Sequence, residues 1–167
     1  MIGRRVSRFI AGFFGLLLTG SVALAEPIVL VLDAEYGNKT STSAQAIERG
    51  MRIAMAEVNA KGGVLGRPLE LRTMDNRGVP AIGVDNFRDA AADATVLGVF
   101  GGKFSPTYIE VAPIANELQT MLLDPWGSAD AITDMKVTPS WVFRLSLKDS
   151  WAGPAFIQEV LKSGNTQ

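Results

Sequence analysis

Two rhythms of apolar residues alternate along this chain. Ile28–Leu32 (IVLVL), Val96–Phe100 (VLGVF) and Met121–Leu123 are short, continuous apolar runs, the pattern of strands buried on both faces. Leu69–Met74 and Trp141–Leu145 predict two further strands. Between them the spacing turns helical. Ile47, Met51, Ala54, Met55 and Val58 form one stripe, and Thr42 with Gln45 has the capping-box spacing that starts a helix. Asn59-Ala60-Lys61-Gly62-Gly63 stops it, with a glycine free for the left-handed cap. Pro80 predicts the first turn of a second helix reaching about Asp93. Pro106 opens a third helix through Ile109, Val111, Ile114 and Leu118. A last helix runs from Ser150 to about Lys162, with Pro154 in its first turn. The order βαβαβαβ(β)α predicts an α/β fold: a Rossmann-like doubly wound parallel sheet with helices on both faces.

The N-terminal segment obeys a different pattern. Arg4, Arg5 and Arg8 precede a ten-residue apolar stretch, Phe9–Leu18, and Ala23-Leu24-Ala25 follows as a small-x-small triplet. This is the pattern of a secretory signal peptide over residues 1–25, cleaved before Glu26. The competing reading is a membrane anchor, but the uncharged stretch from Phe9 to Ala25 is 17 residues and carries three Gly, at the short limit for a spanning helix. The expectation is therefore export, with the periplasm of a bacterium as its natural setting, and a domain over residues 26–167.

Composition narrows the chemistry. The 167 residues are 47% hydrophobic and 20% charged, ordinary for a globular domain, and 16 basic against 17 acidic residues give a net charge of −1. The three arginines of the leader are its only charges, so residues 26–167 carry a net charge of −4. No basic stripe is present for nucleic acid. With no His and no Cys, the commonest general base, the commonest transition-metal ligand and every thiolate function are missing. No cofactor is implied.

In such a sheet ligands bind beyond the carboxyl ends of the strands, at the point where strand order reverses. The loops there are Asp33–Ser43, Asp75–Val79, Gly101–Ser105 and Asp124–Asp130. Gly101-Gly102-Lys103-Phe104-Ser105-Pro106 leads directly into a helix start, where free backbone N–H groups and the Ser105 hydroxyl favour an anion. It reads equally as a plain turn, with Gly for a positive φ and Ser105 as N-cap. Sharper motifs fail: Lys103 is followed by Phe104 where a P-loop needs Ser or Thr, and neither GxSxG nor GxGxxG occurs. Asp124, Asp130 and Asp134 match no calcium loop and read as turn and cap residues. Trp126 is different, because a large aromatic in a loop costs burial unless something covers it.

Taken together, four consecutive blocks resemble the ligand-binding proteins of ABC importers in the branched-chain amino acid group, the type I periplasmic binding proteins. They are IERGMRIAMAEVNAKGGVLGRPLELRTMDNR (residues 47–77), GVFGGKFSPTYIEVAPIANE (98–117), LLDPWGSADAITD (122–134) and WVFRLSLKDSW (141–151). The resemblance covers residues 27–167. It implies a non-enzymatic protein that captures an amino acid or similar small polar solute between two lobes and delivers it to a membrane permease.

The resemblance also implies the site: Ser105, the main chain of Trp126, and Ser128 hold the ligand's carboxylate and ammonium groups. Phe104 beside Ser105, and Tyr36 with Asp33 and Glu35 in the first loop, are further candidates. Trp126 stands where a small residue is usual, which points to a differently shaped pocket. By that resemblance the chain is expected to correspond to the first lobe only, without the second. The alternative is therefore a single-lobe remnant or interaction domain.

Overall fold

The computed structural model describes residues 26–37 and 42–164 of the chain. The expected signal peptide, residues 1–25, lies outside them. The elements in order are β1 (Ile28–Ala34), α1 (Ser43–Ala60), β2 (Leu69–Asp75), α2 (Pro80–Ala91), β3 (Val96–Phe100), α3 (Ser105–Glu117), β4 (Met121–Asp124), a 3-10 turn (Asp130–Ile132), β5 (Val142–Arg144) and α4 (Asp149–Lys162).

All strand pairs are parallel, and the sheet order is β2-β1-β3-β4-β5. The chain steps outward from β1 to β2, crosses back over β1 to β3, and then proceeds to β4 and β5. Right-handed crossovers place helices on opposite faces when the direction of travel reverses. Accordingly α1 covers one face, against Leu32, Ala34 and Phe100, while α2 and α3 cover the other, against Val29, Val31, Val99 and Leu122. The reversal point lies between β1 and β3. Their outgoing loops part there, which is where such sheets form a crevice.

The apolar runs behave as strands enclosed on both sides, with Val31 and Leu32 wholly buried on alternate faces of β1. Edge strand β2 alternates, keeping Glu70 and Arg72 outward, and Arg72 pairs with Asp93 at 2.8 Å. An irregularity at the start of the β1–β3 pairing leaves Leu97 exposed.

Several local details differ from the sequence reading. Thr42 precedes α1, but its side chain makes no cap hydrogen bond, so helix start and capping box part company. Gly62 and Gly63 do take the left-handed conformation at the other end, at φ 97° and 75°. Helix α4 begins at Asp149, which puts Pro154 beyond the first turn, and α3 runs through Pro113. Each of these prolines deletes one intrahelical hydrogen bond. Helix α4 buries none of its residues; Trp151, Phe156, Ile157 and Leu161 all lie exposed. No helix among the described residues is long and apolar enough to cross a membrane.

Close approach of α2 to α3 depends on Gly83. A Cβ there would come within 2.2 Å of Thr107 Cγ2, a side chain buried in the α2–α3 seam. Helical Gly50 by contrast has nothing within 4 Å of the same position. The same substitution therefore has opposite signs at the two sites. Gly50→Ala stabilises by roughly 0.5–1 kcal/mol through helix propensity, whereas Gly83→Ala costs about 1–3 kcal/mol through overpacking. Urea unfolding of both variants checks this, and a shared sign would contradict the packing account.

Candidate functional site

Beneath the loops at the carboxyl edge of the sheet lies a buried polar network, and Tyr108 is its centre. Its hydroxyl donates to the Asp33 carbonyl at 2.7 Å and accepts from Asn76 Nδ2 at 3.2 Å and from the Gly102 N–H. That fills the donor and acceptor capacity of a phenol. Burial pushes this phenol well above its ordinary pKa, so it stays protonated and can go on donating. Asn76 also donates to Asp33 Oδ2 at 2.9 Å, and Asn86 to Asp33 Oδ1 at 2.8 Å. Glu35, buried alongside, accepts from the Ser43 hydroxyl at 3.1 Å and the Lys103 N–H at 3.4 Å. Asp33 and Glu35 thus form the floor of the site, with their carboxylates turned to groups of their own chain.

The glycine pair at the end of β3 is required by this network, not by a turn. Neither glycine has a positive φ. A Cβ on Gly101 would meet the Tyr108 ring at 2.8 Å, and one on Gly102 would meet Glu35 Oε2 at 2.3 Å. The pair lets the backbone lie flat on the floor, and this aims the chain into α3. Phe104, in extended conformation, caps that helix, so Ser105 is its first residue instead of its N-cap. Phe104 remains 41% exposed.

The loop after β4 comes to the same place. Asp124, fully buried, accepts from the N–H groups of Trp126 at 3.3 Å and Gly127 at 2.8 Å, which folds the chain into a tight turn. The N–H of Ala129 then reaches Ser105 Oγ at 3.4 Å. Ser105, Trp126 and Ser128 are thereby brought together, the first on α3 and the others on a loop hydrogen-bonded to it. Trp126 is 53% exposed. Among the described residues, nothing donates to the Trp126 carbonyl and the Ser128 hydroxyl has no partner. Tyr36 is elsewhere engaged: half-buried against the α1 side of the sheet, it donates to Glu48 Oε2 at 2.9 Å.

Asp130 and Asp134 act as the turn reading expects. Asp130 accepts from Ser150 at the start of α4, and Asp134 pairs with Lys148. No grouping of three or more acidic residues among the described residues suits a metal ion. Sequence reasoning missed Tyr108 and Asn76 altogether. A tyrosine and an asparagine carry no local signal for this role, because the partners that tie the strands together lie 32 to 75 residues away.

An α/β lobe with a helix start set beside unpaired oxygens beyond its strand ends belongs to the class of open sheets that take ligands at that edge. Comparison with known proteins gives the same class. The sequence profile of the family described as periplasmic binding protein matches residues 31–167, and the chain belongs to that family. The Leu/Ile/Val-binding protein BraC3 of Rhizobium johnstonii is 27% identical over 130 residues, which is 78% of this chain and 33% of that protein. An ABC transporter substrate-binding protein from Desulfitobacterium hafniense, solved with Leu, superposes with a TM-score of 0.72 at 24% identity, covering 83% of this chain and 39% of its own. A leucine-binding protein from Thermotoga maritima gives 0.71 at 22%, covering 83% and 38%. All three are binding proteins by name, and the Desulfitobacterium one is named for an ABC transporter. The chain spans about a third of the curated relative and under two-fifths of each structure.

The floor of the site is sensitive to pH. Burial pushes the Asp33 carboxyl up to about 6, against the opposing donors Asn76 and Asn86 and with help from nearby Asp75 and Glu35. A pKa raised above the unfolded value near 3.8 gives stability that is complete below that value and lost as pH rises through the folded one. The loss is on the order of 2–3 kcal/mol. The stability of the wild type minus that of Asp33→Asn therefore falls between pH 4 and pH 7. An NMR titration of the Asp33 carboxyl carbon has its midpoint near 6, and an ordinary midpoint would refute the assignment.

Proposed function

We propose that this lobe binds the zwitterionic end of an amino acid or a similar small polar solute, for an ABC importer. The observation that carries the reading is the hydrogen bond from Ala129 N–H to Ser105 Oγ, which brings the start of α3 beside the loop after β4. The Ser105 N–H and hydroxyl at the head of α3 suit a carboxylate. The Trp126 carbonyl and Ser128 hydroxyl, both unpaired, suit an ammonium group. Exposed Phe104 and Trp126 flank these groups with apolar surface.

On this reading the solute is held against a second lobe, and the loaded protein is handed to a permease in the inner membrane. Export to the periplasm follows from a signal peptide cleaved after Ala25. The alternative, a single-lobe interaction domain, draws no support from the relatives named above.

Weak binding to an open lobe is best read by NMR. In a titration of the chain with L-leucine, L-phenylalanine and L-glutamate, at least one shifts the amides of 103–105, 107 and 126–129 and leaves those of β2 unmoved. Ser105→Ala or Ser128→Ala each costs about 1–3 kcal/mol of affinity, by leaving a charged ligand group without its partner. Responses that are absent, scattered over the surface or unchanged in both variants would sink the reading.

A further inference from the structure

The loop after β4 is held less by its own residues than by the segment that follows β5. Arg144, the last residue of β5, donates from Nη2 to the Ala129 carbonyl at 2.6 Å and from Nη1 to the Ser128 carbonyl at 3.4 Å. The Ser146 hydroxyl donates to the Gly127 carbonyl, and the Asp149 N–H to the Ser128 carbonyl at 2.9 Å. Three successive carbonyls, those of Gly127, Ser128 and Ala129, are thus all taken from one side. Asp124 takes the Trp126 and Gly127 amides from the other. The Trp126 carbonyl is left over, together with the Ser128 hydroxyl.

We propose that Arg144 is a positioning residue for ligand binding: its guanidinium, forked across the Ser128 and Ala129 carbonyls, fixes the loop so that the Trp126 carbonyl and Ser128 hydroxyl stand free for the ligand's ammonium group. This rests on the amino-acid reading given above. Arg144 acts through the loop, since its Nη1 and Nη2 both donate to loop carbonyls.

Two features support the assignment. The fork needs a planar group with separated donors, which arginine has and lysine lacks. A cation beside an ammonium site is unfavourable unless balanced, and Asp124 and Asp130 both interact electrostatically with Arg144, although burial still pushes the Asp124 carboxyl above its ordinary range. Asp124 Oδ2 and Arg144 Nε are buried without a hydrogen-bond partner among the described residues, a cost that the loop bonds of the same two groups must offset.

The geometry has a further consequence for the chain beyond β5. Residues Arg144, Ser146 and Asp149 grip the loop, and Asp130 from just beyond the loop accepts from the N–H and hydroxyl of Ser150 in the first turn of α4. The ligand loop and the start of α4 are therefore one hydrogen-bonded unit. A change in the loop is felt at the base of α4.

The test compares Arg144→Lys and Arg144→Met with wild type by amide hydrogen exchange on the full chain. Lysine keeps the charge and the aliphatic stem, so the fold is retained and only the fork is lost. The Gly127 and Ala129 amides exchange at least tenfold faster in both variants, while those of Val31 and Val99 in the sheet change less than twofold. Lysine therefore fails to rescue. The L-leucine response of the amides at 126–129 weakens at least fivefold in the same variants. Loop amides that do not change, or that change only in step with Val31 and Val99, would overturn the proposal. If wild type gives no response to L-leucine, L-phenylalanine or L-glutamate, the amino-acid reading fails, and the exchange comparison still decides whether Arg144 sets the loop.

Discussion

The hydroxyl of Tyr108 stands in one place where three strand ends must meet. It joins the carbonyl at the end of β1, the amide side chain after β2 and the backbone after β3. A buried phenol whose every capacity is met acts as a fixed point, because releasing any partner leaves a polar group unsatisfied in a low-dielectric interior. The backbone at Gly101 and Gly102 can approach this point only without side chains. The path of the chain into α3, and hence the place of Ser105, follows from that approach. The same residue is the first-turn anchor of α3 in the core, so a single side chain serves both helix packing and loop geometry.

Above this floor the lobe offers both signs of partial charge within a short span. The head of α3 presents the Ser105 N–H and hydroxyl, and the loop after β4 presents oxygens. Each lies on a backbone held from below or from behind, by Tyr108 in the first case and by Asp124 and Arg144 in the second. Preorganisation of this kind reduces the ordering cost of taking up a small ligand. It fits the proposed capture of a zwitterion, where carboxylate and ammonium need opposite partners at fixed separation. The acids of the floor are already satisfied, so they shape the site without competing for the ligand's cationic end.

Much of the fold was legible because it is written in local periodicity. Continuous apolar runs marked β1, β3 and β4, and the stripe from Ile47 to Val58 marked α1; boundaries fell within about two residues of those observed. Ser105, Trp126 and Ser128 were reached through a family resemblance, and the loop carrying the last two is hydrogen-bonded to Ser105 through Ala129. Other details escaped for physical reasons. The Thr42–Gln45 spacing is satisfied by sequence alone, but the cap bond it suggests does not form. Gly101-Gly102 looked like a positive-φ turn, since nothing nearby announces a tyrosine ring pressed against it. Arg144 read as an ordinary strand residue, because the carbonyls it holds are 15 and 16 residues away.

The sequence by itself determined the kinds of element, their order and, through strands apolar on both sides, a parallel sheet enclosed by helices. These follow from backbone geometry and hydrophobic spacing, which act over a few residues. Tertiary structure alone decided which oxygens stay free at the carboxyl edge. That choice depends on which distant donor reaches each carbonyl first: Arg144, Ser146 and Asp149 take those of Gly127 to Ala129, and Trp126 keeps its own. Hydrogen-bond accounting across strands separated in sequence has no signature in any local window.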